Sequence, residues 1–247
     1  MPHISLKAEK LFSLYGVPVT NSLLLSSIVF VFFIILAFYY YFQVRKNGEK
    51  GRFFYLFNFS LRFIYGLFKS VFGDKINYFF PLLGTFFFFI LIHNWSGLVP
   101  GVGSILFTIG EGIHRETVPL LRGATTDLNT TLALALITVI FSQFIGIKTL
   151  GFFNYLGKFF SFKSPVIFFA GIIEAISEIS RLIAYSFRLF GNIFAGEVII
   201  GIMAFLLPVL VSFPFLLFEI FIGFIQAVVF SMLSAVFYNL SMQKAEH

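Results

Sequence analysis

Long uncharged blocks alternate with short charged stretches along this chain, and the gaps between charges predict the elements. No charge occurs from Leu11 to Val44, where the apolar heart runs from Leu23 to Phe42. None occurs from Ile76 to Gly110, with Phe79 to Val99 the apolar part, and Leu128 to Ile147 is a third clean stretch. Each is long enough to cross a hydrocarbon core of ~30 Å, which takes about 20 helical residues. The pattern predicts spans over 21–42, 78–99 and 128–148, preceded by an external segment 1–20. The first block starts some way into the chain and lacks a small-residue cleavage site, so it reads as an anchor and not a signal peptide.

Between the first two spans the pattern changes. Arg45, Lys46, Lys50, Arg52, Arg62, Lys69 and Lys75 face only Glu49 and Asp74. Asn58, Arg62 and Lys69 fall on one narrow stripe at helical spacing, on a segment otherwise apolar. That predicts an amphipathic helix over 53–73 lying in the headgroup plane. From Pro165 to Met242 the chain is almost continuously apolar, with its one clear break between Pro208 and Pro214. Two helices, 166–206 and 213–242, follow. The first would be about 60 Å long, which fits a ~30 Å core only when steeply tilted, by roughly 60° on a cosine argument. The predicted fold is an all-α integral membrane protein, a single membrane domain over 1–247. It has about five crossing helices, one interfacial amphipathic helix, and a long tilted hairpin at the end.

Composition agrees. Of 247 residues, 59% are hydrophobic and 11% charged, with mean hydropathy +0.96; soluble domains carry roughly 25% charged residues. Forty phenylalanines cannot all be hidden in one water-soluble core of this size. The absence of cysteine excludes disulfides, thiolate metal sites and cysteine nucleophiles. His3, His93, His114 and His247 are too scattered to suggest zinc or haem, and no cofactor is expected. The net charge of +6 sets orientation and does not indicate nucleic acid. Lys and Arg cluster in 43–77, in 148–163 and at Lys244, against Lys7, Lys10, Arg115 and Arg122 on the other side. The positive-inside rule then places the N-terminus outside and the C-terminus in the cytoplasm.

Ionisable residues at bilayer depth are costly and default to functional hypotheses. On the first long helix Glu174, Ser177, Glu178, Arg181, Arg188 and Asn192 share one face, while Glu197 points well away from it. On the partner helix Glu219 and Gln226 lie two turns apart on one face. Two separable polar tracks result. An arginine stays protonated at any cellular pH, so it can attract and hold a carboxylate ionised but cannot relay protons. Fixed between two half-tracks, it would block leakage while a mobile carboxylate, brought by a second protein, exchanges its proton at each end. The trio Glu174, Glu178 and Arg181 equally fits a buried ion network that only fixes packing. Arg188 has no carboxylate one turn away on its own helix, and Ala184, Gly191, Ala195 and Gly196 leave room beside it for another backbone.

The stretch Ser186-Phe187-Arg188-Leu189-Phe190-Gly191-Asn192-Ile193-Phe194-Ala195-Gly196-Glu197 resembles the signature of subunit a of F-type ATP synthases, the ion-channel stator of the membrane sector. Asn94-Trp95-Ser96-Gly97-Leu98-Val99-Pro100-Gly101, Thr125-Thr126-Asp127-Leu128-Asn129-Thr130-Thr131, Val17-Pro18-Val19-Thr20-Asn21, and Gln226 with Ala227 are similar to further motifs of that family, in order along most of the chain. The resemblance implies that Arg188 is the essential arginine facing the proton-carrying carboxylate of the rotating subunit c ring. It implies that Asn192, Glu197, Glu219 and Gln226 line the outer half-channel, with Asp127 near its mouth. Glu174, Ser177, Glu178 and Arg181 would border the half-channel to the cytoplasm. Many relatives pair a glutamate with a histidine where this chain has Glu197 and Glu219, and two neighbouring carboxylates would share a proton and titrate as a pair.

The resemblance further implies as partners the subunit c ring, the subunit b peripheral stalk, other ATP synthase subunits, the lipid bilayer and the transported H+ or Na+. It implies a bacterial plasma membrane, with the mitochondrial inner or thylakoid membrane as alternatives. The chain would not be an enzyme by itself, and no GxxxxGK[ST] phosphate loop occurs in it. A secondary ion transporter or other polytopic channel is the competing reading. It would call for inverted repeats or paired interrupted helices, and the N-terminal half holds no match to the C-terminal hairpin. An intramembrane metalloenzyme built on Glu111, His114 and Glu116 lacks an HEXXH motif.

Overall fold

A computed structural model describes residues 8–46, 48–99, 101–103, 105–109, 116–159, 164–206 and 212–243. His3, Lys7, Pro100, Glu111, His114, Arg115, Pro208, Lys244 and His247, all weighed above, lie outside the described residues. Among the described residues there are seven α-helices: α1 Asn21–Arg45, α2 Arg52–Phe72, α3 Ile76–Ser96, α4 Leu128–Leu150, α5 Phe152–Phe159, α6 Pro165–Leu206 and α7 Ser212–Ser241, of which α1, α3 and α4 follow the uncharged gaps. Five stretches are long and apolar enough to cross a membrane, with 52–96 counting as one of them. The chain is an all-α membrane protein.

Two short hairpins and α5 go beyond the sequence expectation. Strand β1 (Lys10–Leu14) pairs antiparallel with β2 (Val17–Thr20). Their turn places Tyr15 at φ 47° and Gly16 at φ 84°, the left-handed pair that suits tight hairpins. Strands β3 (Leu106–Ile109) and β4 (Glu116–Pro119) pair likewise between α3 and α4.

Helix α1 begins where Thr20 caps it, its hydroxyl accepting from the Leu23 N–H at 3.2 Å. Next to this cap, Ser22 donates to Asp127 Oδ2 at 3.1 Å and Asn21 Nδ2 donates to the Pro119 carbonyl at 3.3 Å. Helix α2 does not continue straight into α3. Ring pairs Phe57–Phe88, Tyr65–Phe80 and Phe72–Phe79 lie at 5.5, 5.1 and 4.2 Å. A straight helix would hold Phe57 and Phe88 on the order of 45 Å apart. The reversal falls at Gly73, whose φ of 55° favours glycine. Phe54, Ile64, Phe68 and Phe72 face inward while Arg62 and Lys69 stay exposed; Asn58, the third member of the expected stripe, is half-buried and accepts from the Tyr40 hydroxyl at 3.3 Å.

Helix α7 is the hub. Gly223, Gln226, Ala227, Phe230, Ser231, Ser234, Ala235 and Tyr238 form its buried face. The small residues let α3, α4 and α6 approach closely. Phe230 meets Phe86 of α3 and Tyr185 of α6, and Tyr238 meets Phe79 and Phe141. Contacts of Tyr185 with Phe237, Asn192 with Gln226 and Gly196 with Glu219 run in opposite directions along the two helices. The α6–α7 pair is therefore the antiparallel hairpin the sequence predicts.

Candidate ion-path site

Helix α6 carries three groups of polar residues, and the structure separates them. Nearest its N-terminal end, Arg181 donates from Nη1 to Glu178 Oε1 at 2.9 Å and from Nη2 to Glu174 Oε1 at 3.3 Å. Its guanidinium also lies over the Phe237 ring, 4.6 Å from the centroid. Lys158 of α5 reaches Glu174 Oε1 at 2.9 Å. The phenol of Tyr155 donates to Gln143 of α4. Burial first, and then the charge of Glu178, raises that phenol to about 12, so it is a neutral donor at physiological pH. Ser177 shares this face, half-buried, with no side-chain hydrogen bond among the described residues. Lys158, Tyr155 and Gln143 are members that sequence reasoning missed.

In the middle stands Arg188. It is exposed and makes no hydrogen bond or ion pair among the described residues. Ala184 and Ala195 beside it are exposed too, and a Cβ added at Gly191 would meet nothing within 4 Å. Among the candidate spans, α6 is the least covered by the rest of the chain: 17% of its apolar window is buried, against 22% to 50% in the others.

Beyond Arg188 lies the third group, shared with α7. Asn192 Nδ2 donates to Gln226 Oε1 at 3.0 Å. Asn94 of α3 donates to the Gly223 carbonyl at 3.0 Å, and Trp95 Nε1 to that of Ile220 at 3.0 Å. Together these bonds seat the end of α3 between Glu219 and Gln226. Glu219 is 5% exposed, and its carboxylate lies against Gly196, where any Cβ would overlap it. Glu219 Oε1, Gln226 Nε2 and Asn94 Oδ1 are buried with no hydrogen-bond partner within the described chain. Such groups retain the capacity to bind water or exchange a proton.

Two of the expected site residues have specific partners. Glu197 and Glu219 do not share a hydrogen bond. Glu197 turns to Arg122 Nη2 at 4.0 Å, because its position on α6 faces the loop before α4. Arg122, counted above only as an outer charge, is 6% exposed and donates from Nε to Thr126 Oγ1 at 3.1 Å. Asp127 is engaged through both oxygens. One caps α4 by accepting from the Asn129 N–H at 3.0 Å, and the other accepts from Ser22. It acts as a clamp between two helix starts.

His93, whose position near the membrane boundary suggests a satisfied interfacial histidine, is fully buried against Phe89. Its Nδ1 contacts the Phe89 carbonyl at 2.9 Å, and its Nε2 has no hydrogen-bond partner among the described residues. A family model described as ATP synthase A chain matches residues 23–239, a range that contains all three polar groups of α6 and their partners on α3, α5 and α7.

Proposed function

The chain belongs to the ATP synthase A chain family, a non-catalytic subunit of the membrane sector, and from that premise we propose that it is the proton-translocating stator with Arg188 as its central charge. The observation that carries this reading is the bare arginine. A 42-residue apolar helix, the least covered of the candidate spans, presents Arg188 exposed. An arginine held at bilayer depth costs a few kcal/mol or more unless it finds an anion. Small neighbours on the same face leave space for a second helix to bring one. The partner that fits is the subunit c ring, each copy bearing one carboxylate.

Protons enter from the outside through the group on α7, passing Asn192, Gln226 and Glu219, with Glu197 at its flank. They neutralise a ring carboxylate, ride the rotating ring, and leave through Glu174, Ser177, Glu178 and Arg181. Arg188 holds the unloaded carboxylate ionised in between and, being unable to give up its own proton, blocks a direct leak. Each charge crossing 100 mV releases about 2.3 kcal/mol, which turns the ring.

In this arrangement the N-terminus lies outside and the C-terminus in the cytoplasm. Helix α2 folds back along α3 from its Gly73 turn at the cytoplasmic side, with Arg62 and Lys69 outward. Subunit b holds the assembly to the peripheral stalk, and the membrane is the bacterial plasma membrane.

The test is ATP-driven proton pumping in inverted vesicles, wild type against Arg188→Ala, with pull-down of subunit c as the check on assembly. Pumping is expected to fall to background with the ring still attached. Normal pumping by the variant would overturn the reading.

A further inference from the structure

Helix α5 is only eight residues long, yet it closes over the N-terminal group on α6. The carbonyl of Phe159 lies where a Cβ at Gly171 would stand, and the Tyr155 ring occupies the space over Gly146. So pressed against α4 and α6, α5 delivers Lys158 to Glu174. The two carboxylates are then unequally held. Oε1 of Glu174 receives two cations, Lys158 at 2.9 Å and Arg181 at 3.3 Å. Glu178 receives one, Arg181 at 2.9 Å, and its Oε2 is buried with no hydrogen-bond partner among the described residues. Around the pair stand Gln143 on α4, Tyr155 and Lys158 on α5, Arg181 on α6 and the apolar Phe237 on α7.

We propose that Lys158 is a positioning residue of the proton path: it fixes Glu174 as a permanent counter-charge, leaving Glu178 as the carboxyl group that exchanges the proton. This rests on the transport reading above. Charge balance supports the division of labour. Lys158, Arg181 and ionised Glu174 sum to +1, so loss of the Glu178 proton brings the cluster to neutrality and regain restores +1. In the exchange only the Glu178 O–H bond breaks and re-forms, with water as donor and acceptor. Without Lys158 the same loss would leave −1 in a half-buried site, which disfavours the ionised form.

The experiment is ATP-driven pumping by the whole complex in inverted vesicles, read as a function of the pH of the bath that the cytoplasmic side faces. Lys158→Gln is expected to move the profile to higher pH by about one unit, and Lys158→Arg to restore it. Glu174→Gln, which makes the cluster more positive, is expected to move it to lower pH, and serves if Lys158→Gln fails to assemble. Glu178→Gln is expected to stop pumping. Wild-type profiles for both Lys158→Gln and Glu174→Gln would overturn the proposal, as would pumping that survives in Glu178→Gln and is lost in Glu174→Gln. Arg188→Ala run alongside separates the levels. If it pumps normally the transport reading falls; if it is inactive while the profiles stay fixed, only the role of Lys158 falls.

Discussion

Asp127 shows how one side chain changes meaning once its partners are known. The family resemblance implies a place near the mouth of a channel, and the structure adds that both its oxygens are engaged, one with the first turn of α4 and one with Ser22 of α1. Removing a cap costs about 1 kcal/mol, and losing the Ser22 bond adds a comparable amount. Asp127→Ala is therefore expected to lower the melting temperature of the purified complex while leaving the pumping rate per assembled complex near wild type. A variant that assembles and melts normally but does not pump would return Asp127 to the ion path. Residues on one helix face were readable in advance: the spacing of Glu174, Glu178 and Arg181 already implied their contact. Arg122 was not, because a charge in an outer loop looks solvated until Thr126 and Glu197 are seen to enclose it. Lys158 was equally hidden, since nothing in its local pattern points to Glu174 on the next helix.

At the scale of elements, the long helices were legible because an uncharged run of bilayer length has few other uses. The fold-back of α2 on α3 was not, since it depends on Gly73 adopting φ 55° and on ring contacts between distant phenylalanines. Short elements were missed for a related reason. In α5 and the two hairpins the apolar background masks the alternation that would mark them, although Tyr15-Gly16 was a turn signal in plain view. The α6–α7 hairpin makes a sharper prediction. Gly196 is the one position on α6 where the Glu219 carboxylate lies in the space of a Cβ. Gly196→Ala should force the carboxylate or the helix aside, at about 1–3 kcal/mol for overpacking. A lower melting temperature together with at least a several-fold loss of pumping is the expected pair of readouts. Wild-type values for both would show that the close approach of α7 at this point has no importance.

Taken as a whole molecule, the chain buries Glu219 and Gln226 of α7 within the helix bundle and leaves one face of α6 bare. The bare face carries Arg188 with Ala184 and Ala195 exposed beside it, whereas Ala235 of α7 is fully buried. The account requires the bare face to meet the rotor. Because the chain contains no cysteine, single cysteines can be placed at Ala184, Ala195 and, as a control, Ala235. They would be combined with a cysteine beside the ring carboxylate in the assembled complex. Oxidation should join the two subunits through positions 184 and 195, stop pumping, and be reversed by reductant, with no product from position 235. An intact complex that gives no cross-link at 184 or 195, or gives one at 235 instead, would contradict the claim that Arg188 faces the rotor.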